Sequence, residues 1–575
     1  MTINRKHWPW IILLAIAAGA RWIALGHAPL GPDEAMQAAA ALDIPRGVAW
    51  PAEVDSPLLL VGNGLLFALF GASESVARLL PALAGLALVA IPWLWRREIG
   101  AWGAGTAAAL LTFSPLALFA SRRVESTAFG VLGAGLLLAA LFLGEHERRP
   151  WQRPLLIACG VALGVIGGPA FFDTLLPALI AWLIFRWISE SEAQAASSII
   201  WRRWLRPVGL GVAAAWWVAI GAGFYWGHWG RLGQGLVAWL SAWRSGAPGQ
   251  LGVMLLMLYE PLTLLLAGVG LIFAIRRFAL RPLMWALWGM LALLLTSMRP
   301  GVPATGVIAA LLPLTLLAGY GAQRVALAIT RDQRLMFALH VVIGSVLWMT
   351  GGLMLARYTV IGATVGGWPV AFLGLAAILA LQGILAVLFG FSAPASIAAR
   401  GALLALCAVG LVLQVSFAWG LAFVRPTDPA ELAVATSGSP DLANLRATAT
   451  ELMYQRGERR DSFAVAIVDA DAALTALARW QFRDFAQVEA TPAWPASPPD
   501  LVITPAEGAP AMPEAQAPEG AWRGATFVAI TGGKYFLPGC QPAFPPICPQ
   551  TVSWYLYRNL PTVFPSQDVI LWYRP

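Results

Sequence analysis

Trp8-Pro9-Trp10-Ile11-Ile12-Leu13-Leu14-Ala15-Ile16-Ala17 opens an apolar run that reaches Gly26, and Gly31-Pro32-Asp33-Glu34-Ala35-Met36-Gln37 follows it. The run is long enough to cross a bilayer. Two adjacent carboxylates just beyond its end are costly so near a membrane, and such groups are usually functional. Arg5 and Lys6 precede the run and no small-residue cleavage site follows it, so it reads as an anchor and not a removed leader.

The remaining chain extends this pattern. Of 575 residues, 59% are hydrophobic and 12% charged, about half the charge of an ordinary soluble domain. The class is therefore a polytopic α-helical membrane protein. Apolar runs fall at about 8–26, 78–95, 101–119, 127–143, 154–170, 173–189, 205–225, 251–275, 282–298, 302–320, 335–356, 367–390 and 401–423, giving about 13 transmembrane helices. The basic residues sit in short clusters between these runs, which excludes a single nucleic-acid-binding patch. With the N-terminus in the cytoplasm, 18 basic residues fall on the cytoplasmic side of the membrane part and 9 on the other. This bias sets the orientation, and an odd number of spans places the C-terminus outside.

Residues 1–423 form the membrane domain in this reading. A first outer loop at 27–77 carries an apolar piece, Pro57 to Phe70, expected to lie in the interface. A second outer loop at 226–250 carries Trp226, His228, Trp229, Trp239 and Trp243 and reads as another interfacial helix. From 424 to 575 the composition changes, with 15 acidic and 11 basic residues and no spanning run. Expected helices at Leu442 to Gln455 and Ala472 to Phe485 alternate with expected strands at Phe463 to Val468, Leu501 to Thr504 and Ala525 to Thr531. The pattern is that of a small extracytoplasmic α/β domain. Cys540 and Cys548 lie eight apart in its Pro-rich end, where a disulfide suits an outer compartment. Cys159 and Cys407 lie in apolar runs and read as packing residues.

The outer face gathers Asp33, Glu34, Asp55, Glu125, Arg21, Arg122, Arg123 and Arg299, mostly at helix ends. A carboxylate there can act as general base. Others, Asp55 and Glu125, can hold a divalent cation such as Mg or Mn through oxygen ligands. Arginines can bind a phosphate leaving group. A sugar joined to a membrane lipid through phosphate calls for all three. Each residue also has a structural reading: Asp33 as a cap, Arg21 as its counter-charge, Glu125 paired with Arg122 or Arg123, Arg299 snorkelling to the interface. His228 reads as an interface residue. Glu260-Pro261 lies in the outer half of the eighth span with no partner evident in the sequence.

Pro32-Asp33-Glu34 opening a long outer loop resembles the GT-C glycosyltransferases, polytopic enzymes that use polyprenyl-phosphate-linked sugars. Among them are protein O-mannosyltransferases and bacterial aminoarabinose transferases. Asp55-Ser56-Pro57-Leu58-Leu59, Leu69-Phe70-Gly71, Ala77-Arg78-Leu79-Leu80-Pro81-Ala82-Leu83, and Ser114-Pro115 followed by Ser121-Arg122 and Glu125 continue the likeness. Trp480-Gln481-Phe482-Arg483-Asp484-Phe485 resembles a segment in the outer domain of a flippase-associated, family 39-like branch. The resemblance implies a glycosyltransferase in the cell membrane with Asp33 as catalytic base or metal-side carboxylate and Glu34 beside it. Asp55 and Glu125 would be the other acidic members, and Arg122 and Arg123 the phosphate contacts. The implied partners are a polyprenyl-phosphate-linked donor and a glycan, lipid or protein acceptor. Two alternatives stay open: a lipid-linked sugar flippase or transporter component, and a non-catalytic scaffold of a surface assembly.

Overall fold

The computed structural model describes residues 8–44, 54, 56–142, 151–188, 197–223, 231–244, 252–326, 334–361, 368–392, 395–495, 499–507, 522–532, 549–558 and 564–574. The described part of the first outer segment is mostly helical. After α1 (Trp8–Trp22) come α2 (Pro32–Asp43), α3 (Pro57–Phe70) and α4 (Glu74–Ala77). Pro32 starts α2 because its missing N–H is not needed in the first turn. Ser56 caps α3, its hydroxyl accepting from Leu59 N–H at 3.3 Å.

The membrane part continues with α5 (Leu79–Ala90), a 3-10 turn at Ile91–Trp95, α6 (Arg96–Ile99), α7 (Ala101–Thr112), α8 (Pro115–Ala120) and α9 (Thr127–Phe142). Then follow α10 (Gln152–Ile166), α11 (Ala170–Ile188), α12 (Ser197–Ala219), α13 (Gln234–Ala242), α14 (Gly252–Tyr259) and α15 (Pro261–Arg276). The set closes with α16 (Leu280–Met298), α17 (Ile308–Ala326), α18 (Arg334–Ile361), α19 (Trp368–Ser392) and α20 (Ala395–Trp419). Each expected span falls on a helix or a broken run of helices. By length and apolar character alone, six helical stretches among the described residues qualify as spans, or seven if α14 and α15 count as one. One of the six, Leu79–Thr112, contains a reversal: α5 packs against α7, which a continuous helix forbids. The turn is made at Gly100, whose φ of +80° suits a residue without a Cβ.

Two further features shape the bundle. The eighth expected span is bent by 99° between α14 and α15, because Pro261 has no N–H to continue the ladder. Helix α17 is the most enclosed, with 94% of its apolar window buried. Its neighbours approach closely at glycine: a Cβ on Gly319 would stand 2.4 Å from the Gly103 carbonyl oxygen, the close contact that small residues allow in membranes. Cys159, expected to pack, is exposed on α10.

The C-terminal part is α/β. Strands β1 (Thr436–Gly438), β2 (Ala464–Val468), β3 (Gln487–Thr491), β4 (Leu501–Pro505), β5 (Arg523–Gly532) and β6 (Ser566–Tyr573) form one mixed sheet in the order β1-β5-β6-β4-β2-β3. Helices α21 (Leu442–Gln455), α22 (Ala472–Gln481) and α23 (Pro549–Tyr557) accompany it. Strands β2 and β4 are nearly continuous in burial and run parallel, as central strands covered on both faces do. Cys540 and Cys548 lie outside the described residues.

The domain grips the membrane part at two places. Buried Glu431 accepts from Tyr259 Oη at 2.7 Å and from Arg425 Nε at 2.9 Å, and lies 3.2 Å from Arg558 Nε. Helix α22 packs against α2. The domain and the first outer loop therefore share one face of the bundle, called the domain face below.

Candidate functional site

Residues 33 and 34 are neighbours on α2, so their side chains leave the helix about 100° apart. That rotation separates their fates. Asp33 is exposed, with no hydrogen bond or ion pair to a described residue. Glu34 is buried and bound on both oxygens. Arg78 Nε donates to Oε1 and Arg78 Nη2 to Oε2, each at 3.0 Å. Gly31 N–H donates to Oε2 at 3.0 Å and Val124 N–H to Oε1 at 2.8 Å. Burial alone would raise its pKa; the Arg78 guanidinium, and then Arg123 at 4.0 Å, overcome this and hold the carboxyl down at about 2. The expected catalytic role of Glu34 meets a physical obstacle: a carboxylate with every oxygen engaged is a poor proton acceptor.

The arginines divide in the same way. Arg122 gives its donors to carbonyls at and beyond the end of α1: Ala20 at 3.0, Arg21 at 3.2, Ile23 at 2.8 and Ala24 at 2.9 Å. A helix end leaves such carbonyls without partners, and Arg122 supplies them. Arg21 donates to the Ala17 and Leu111 carbonyls at 3.2 and 3.3 Å and pairs with no described carboxylate. Arg299 is committed to Asp173, through Nε at 2.9 Å and Nη2 at 2.7 Å. Trp239 of α13 adds a third donor to Asp173 at 2.8 Å. The phosphate roles expected for Arg122, Arg21 and Arg299 thus conflict with donors already spent on the fold. Arg123 differs. Its guanidinium lies over the Phe119 ring at 5.2 Å, and among the described residues its ion pair is the 4.0 Å approach to Glu34.

Glu125 is the second carboxyl without an ion pair near this place. It sits in the turn between α8 and α9, beside Thr127 and Thr305, with one carboxyl oxygen buried and unpartnered. Burial pushes its pKa up to about 7 against the pull of Arg123. Asp55, its expected partner, lies outside the described residues, as do Trp226, His228 and Trp229. Among the described residues no three acidic, His or Cys side chains converge as a metal site. The described carboxylates alone fall short of the six or more oxygens that a hard cation takes.

Glu34, Arg78, Arg122 and Arg123 line a narrow cleft with His27 and Ser437. Its enclosed space is about 30 Å³, room for one water. It adjoins a broad groove of about 850 Å³, lined by Glu74 and by Arg446, Thr450 and Tyr454 along α21. His27, Pro29, Phe423 and Thr427 border both.

The sequence reading missed Asp173, the role of Arg78 and the partners of Glu260. Asp173 stands inside an apolar run, and that position was the signal. Arg78 is 44 residues from Glu34. Glu260 is fully buried at the α14–α15 break, accepting from Ser114 Oγ, from Thr263 Oγ1 at 3.1 Å and from Gln414 Nε2 at 3.1 Å.

Residues 56–201 match the family described as dolichyl-phosphate-mannose-protein mannosyltransferase. The crystal structure of ArnT from Cupriavidus metallidurans bound to undecaprenyl phosphate is similar over 92% of this chain and 98% of that one, with a TM-score of 0.53 and 15% identity. The fold is GT-C. The apo structure of the same ArnT gives a TM-score of 0.51 at 15% identity over 87% of this chain and 93% of that one. No curated protein matches the chain. A GT-C fold is the membrane-embedded architecture expected from Pro32-Asp33-Glu34, and it brings that motif, Arg78 and the Arg122–Glu125 turn to one place.

Proposed function

We propose that this chain is a membrane glycosyltransferase that takes a sugar from a polyprenyl-phosphate-linked donor and transfers it on the domain face, which the charge bias makes extracytoplasmic. The observation that carries this reading is the near-complete overlap with ArnT bound to undecaprenyl phosphate. The match of residues 56–201 to a mannosyltransferase family supports it, since that segment includes Arg78 and the Arg122–Glu125 turn.

The chemistry assigned to the site is a displacement at the anomeric carbon. The acceptor oxygen or nitrogen bonds to that carbon as its proton passes to Asp33. The bond from carbon to the phosphate oxygen breaks, and its electron pair leaves with the polyprenyl phosphate. Asp33 suits the base role because it is accessible and unpaired. Arg123 suits the departing phosphate because its donors are the least committed among Arg21, Arg122, Arg123 and Arg299. Glu34 with Arg78 fixes the start of α2, and Glu125, whose pKa burial raises, can carry a proton beside Arg123. Asp55 remains assigned to the acidic set.

Transfer from a panel of polyprenyl-phosphate sugars, by purified wild type and Asp33→Asn, tests the proposal. Wild type should release polyprenyl phosphate and Asp33→Asn should not. Equal release by both removes Asp33 as base. Donor movement between leaflets with no polyprenyl phosphate released favours a flippase instead.

A further inference from the structure

The segment Trp480-Gln481-Phe482-Arg483-Asp484-Phe485 has no place in the chemistry above, yet it makes the densest set of polar contacts between the sheet domain and the first outer loop. Trp480, fully buried, donates its indole N–H to Glu74 Oε1 at 3.0 Å. Arg483 lies over the Trp480 ring at 4.2 Å and donates Nε to the Ala72 carbonyl at 3.1 Å. Its Nη2 reaches Glu74 Oε1 at 3.3 Å. Phe67 of α3 packs on Trp480, with ring centroids 5.7 Å apart. One helical turn earlier, Arg479 Nη2 meets Asp43 Oδ2 at 3.1 Å, and Asp43 is the last residue of α2.

We propose that this segment is a clamp whose task is to hold the helix carrying Asp33, and that Glu74, Trp480 and Arg483 are positioning residues for the transfer reaction. The role in transfer rests on the proposed function; the clamp itself does not. The argument is mechanical. Helix α2 is a rigid rod with Asp33 near one end and Asp43 at the other. Along its length α2 packs against α22 and α3. The clamp fixes the far end of α2 through Asp43 and fixes α3 and α4 through Phe67, Ala72 and Glu74. Small errors in placing a base cost rate out of proportion to their size. The guanidinium in this clamp is 5% exposed in its side chain. Truncating it leaves the Glu74 charge and the Ala72 carbonyl short of partners, unlike the loss of a surface pair.

The experiment compares full-length wild type, Glu74→Gln, Arg483→Gln, the double variant, and Arg483→Lys in lipid nanodiscs. Backbone hydrogen exchange is read in residues 32–44 and 56–77, with exchange in α16 and α17 as the control for an intact bundle. Each single glutamine variant should speed exchange in the loop about tenfold with α16 and α17 unchanged. The double variant should match the singles, because both remove one contact. Arg483→Lys keeps the charge without the fork and should fall between. In donor transfer the singles should lower kcat about tenfold and leave KM for the donor within twofold. Loop exchange like wild type in both singles overturns the clamp. Faster loop exchange with unchanged kcat overturns the positioning role and leaves plain domain docking. A wild type that transfers no sugar from any donor overturns the proposed function and the positioning role together, while the exchange data still decide the clamp.

Discussion

Glu34 and Glu125 lie near enough to feel each other's charge and are opposites. Glu34 is buried with two guanidinium donors and two backbone N–H groups. Glu125 is held among threonines with a buried oxygen that no described group satisfies. One carboxyl is fixed as an anion and the other is pushed toward its neutral form. The contrast separates structure from chemistry. A saturated charge sets geometry, and an unsaturated one is free to exchange a proton or meet a ligand. Asp33 and Arg123 belong with Glu125 by this criterion, and Arg78, Arg122, Arg299 and Asp173 belong with Glu34.

The largest effect should come from breaking the saturated side. Arg78→Ala strands the Glu34 charge and three carbonyls, Leu25, Ala28 and Pro29, that now accept from the guanidinium. Loss of one partner of a buried pair costs about 3–5 kcal/mol, so thermal unfolding in detergent should show a variant that is severely destabilised. Arg78→Ala with wild-type stability would place Glu34 on the unsaturated side and dissolve the contrast. On the other side, Asp33→Asn should lower turnover by about 10²–10⁴, the usual worth of a general base, with little change in unfolding temperature. A large stability loss without a turnover effect would move Asp33 into the scaffold.

Much of this was legible in the sequence, and the failures have physical causes. The thirteen apolar runs each meet helix because hydrophobic length is a direct signal of spanning helix. Helix α21 occupies the expected residues, and β2, β4 and β5 lie where apolar runs put them. Strand β3 was not found because Gln487–Thr491 is an edge strand with little burial and so carries no apolar pattern. At the candidate site, Pro32-Asp33-Glu34 marked what proves to be the start of a helix. It could not say which carboxylate turns inward, since that depends on the phase of α2 against α5 and on an arginine 44 positions away. Nor could it show that Arg122 ends α1, because the carbonyls it serves belong to a helix about a hundred residues earlier. Pairing across the fold is what the linear chain hides.

A third expectation concerns pH, where the two carboxyls should give slopes of opposite sign. Glu34 has its folded pKa lowered to about 2. Its contribution is complete above the ordinary carboxylate pKa of about 4.3, and is lost as pH falls from there toward 2. Glu125 has its folded pKa raised to about 7. The folded state then binds the proton more tightly than the unfolded chain, so stability declines as pH rises from about 4.3 to about 7 and is level above that. Unfolding measured across this range should slope gently downward toward neutrality. Glu125→Gln should flatten that part and leave the acid limb intact. A flat wild-type profile between pH 5 and 7 would mean that Glu125 ionises as readily in the fold as in the unfolded chain.

The smallest effect sharpens the comparison by keeping the chemistry and removing the burial. Arg460 and Asp484 form an ion pair at 3.9 Å on the sheet domain, with side chains 48% and 34% exposed. Asp484 also keeps Arg446 as a second partner. Water screens such a pair, and its measured worth is typically about 0.2–1 kcal/mol. Arg460→Ala should therefore leave unfolding within about 0.5 kcal/mol of wild type, at the low end of that range, and the little it costs should vanish in high salt. The same arginine-to-alanine change at Arg78 should be several times more costly and insensitive to salt. Were the two to cost alike, charge pairing itself and not its enclosure would set the energetics, and enclosure would lose its value for telling scaffold from site.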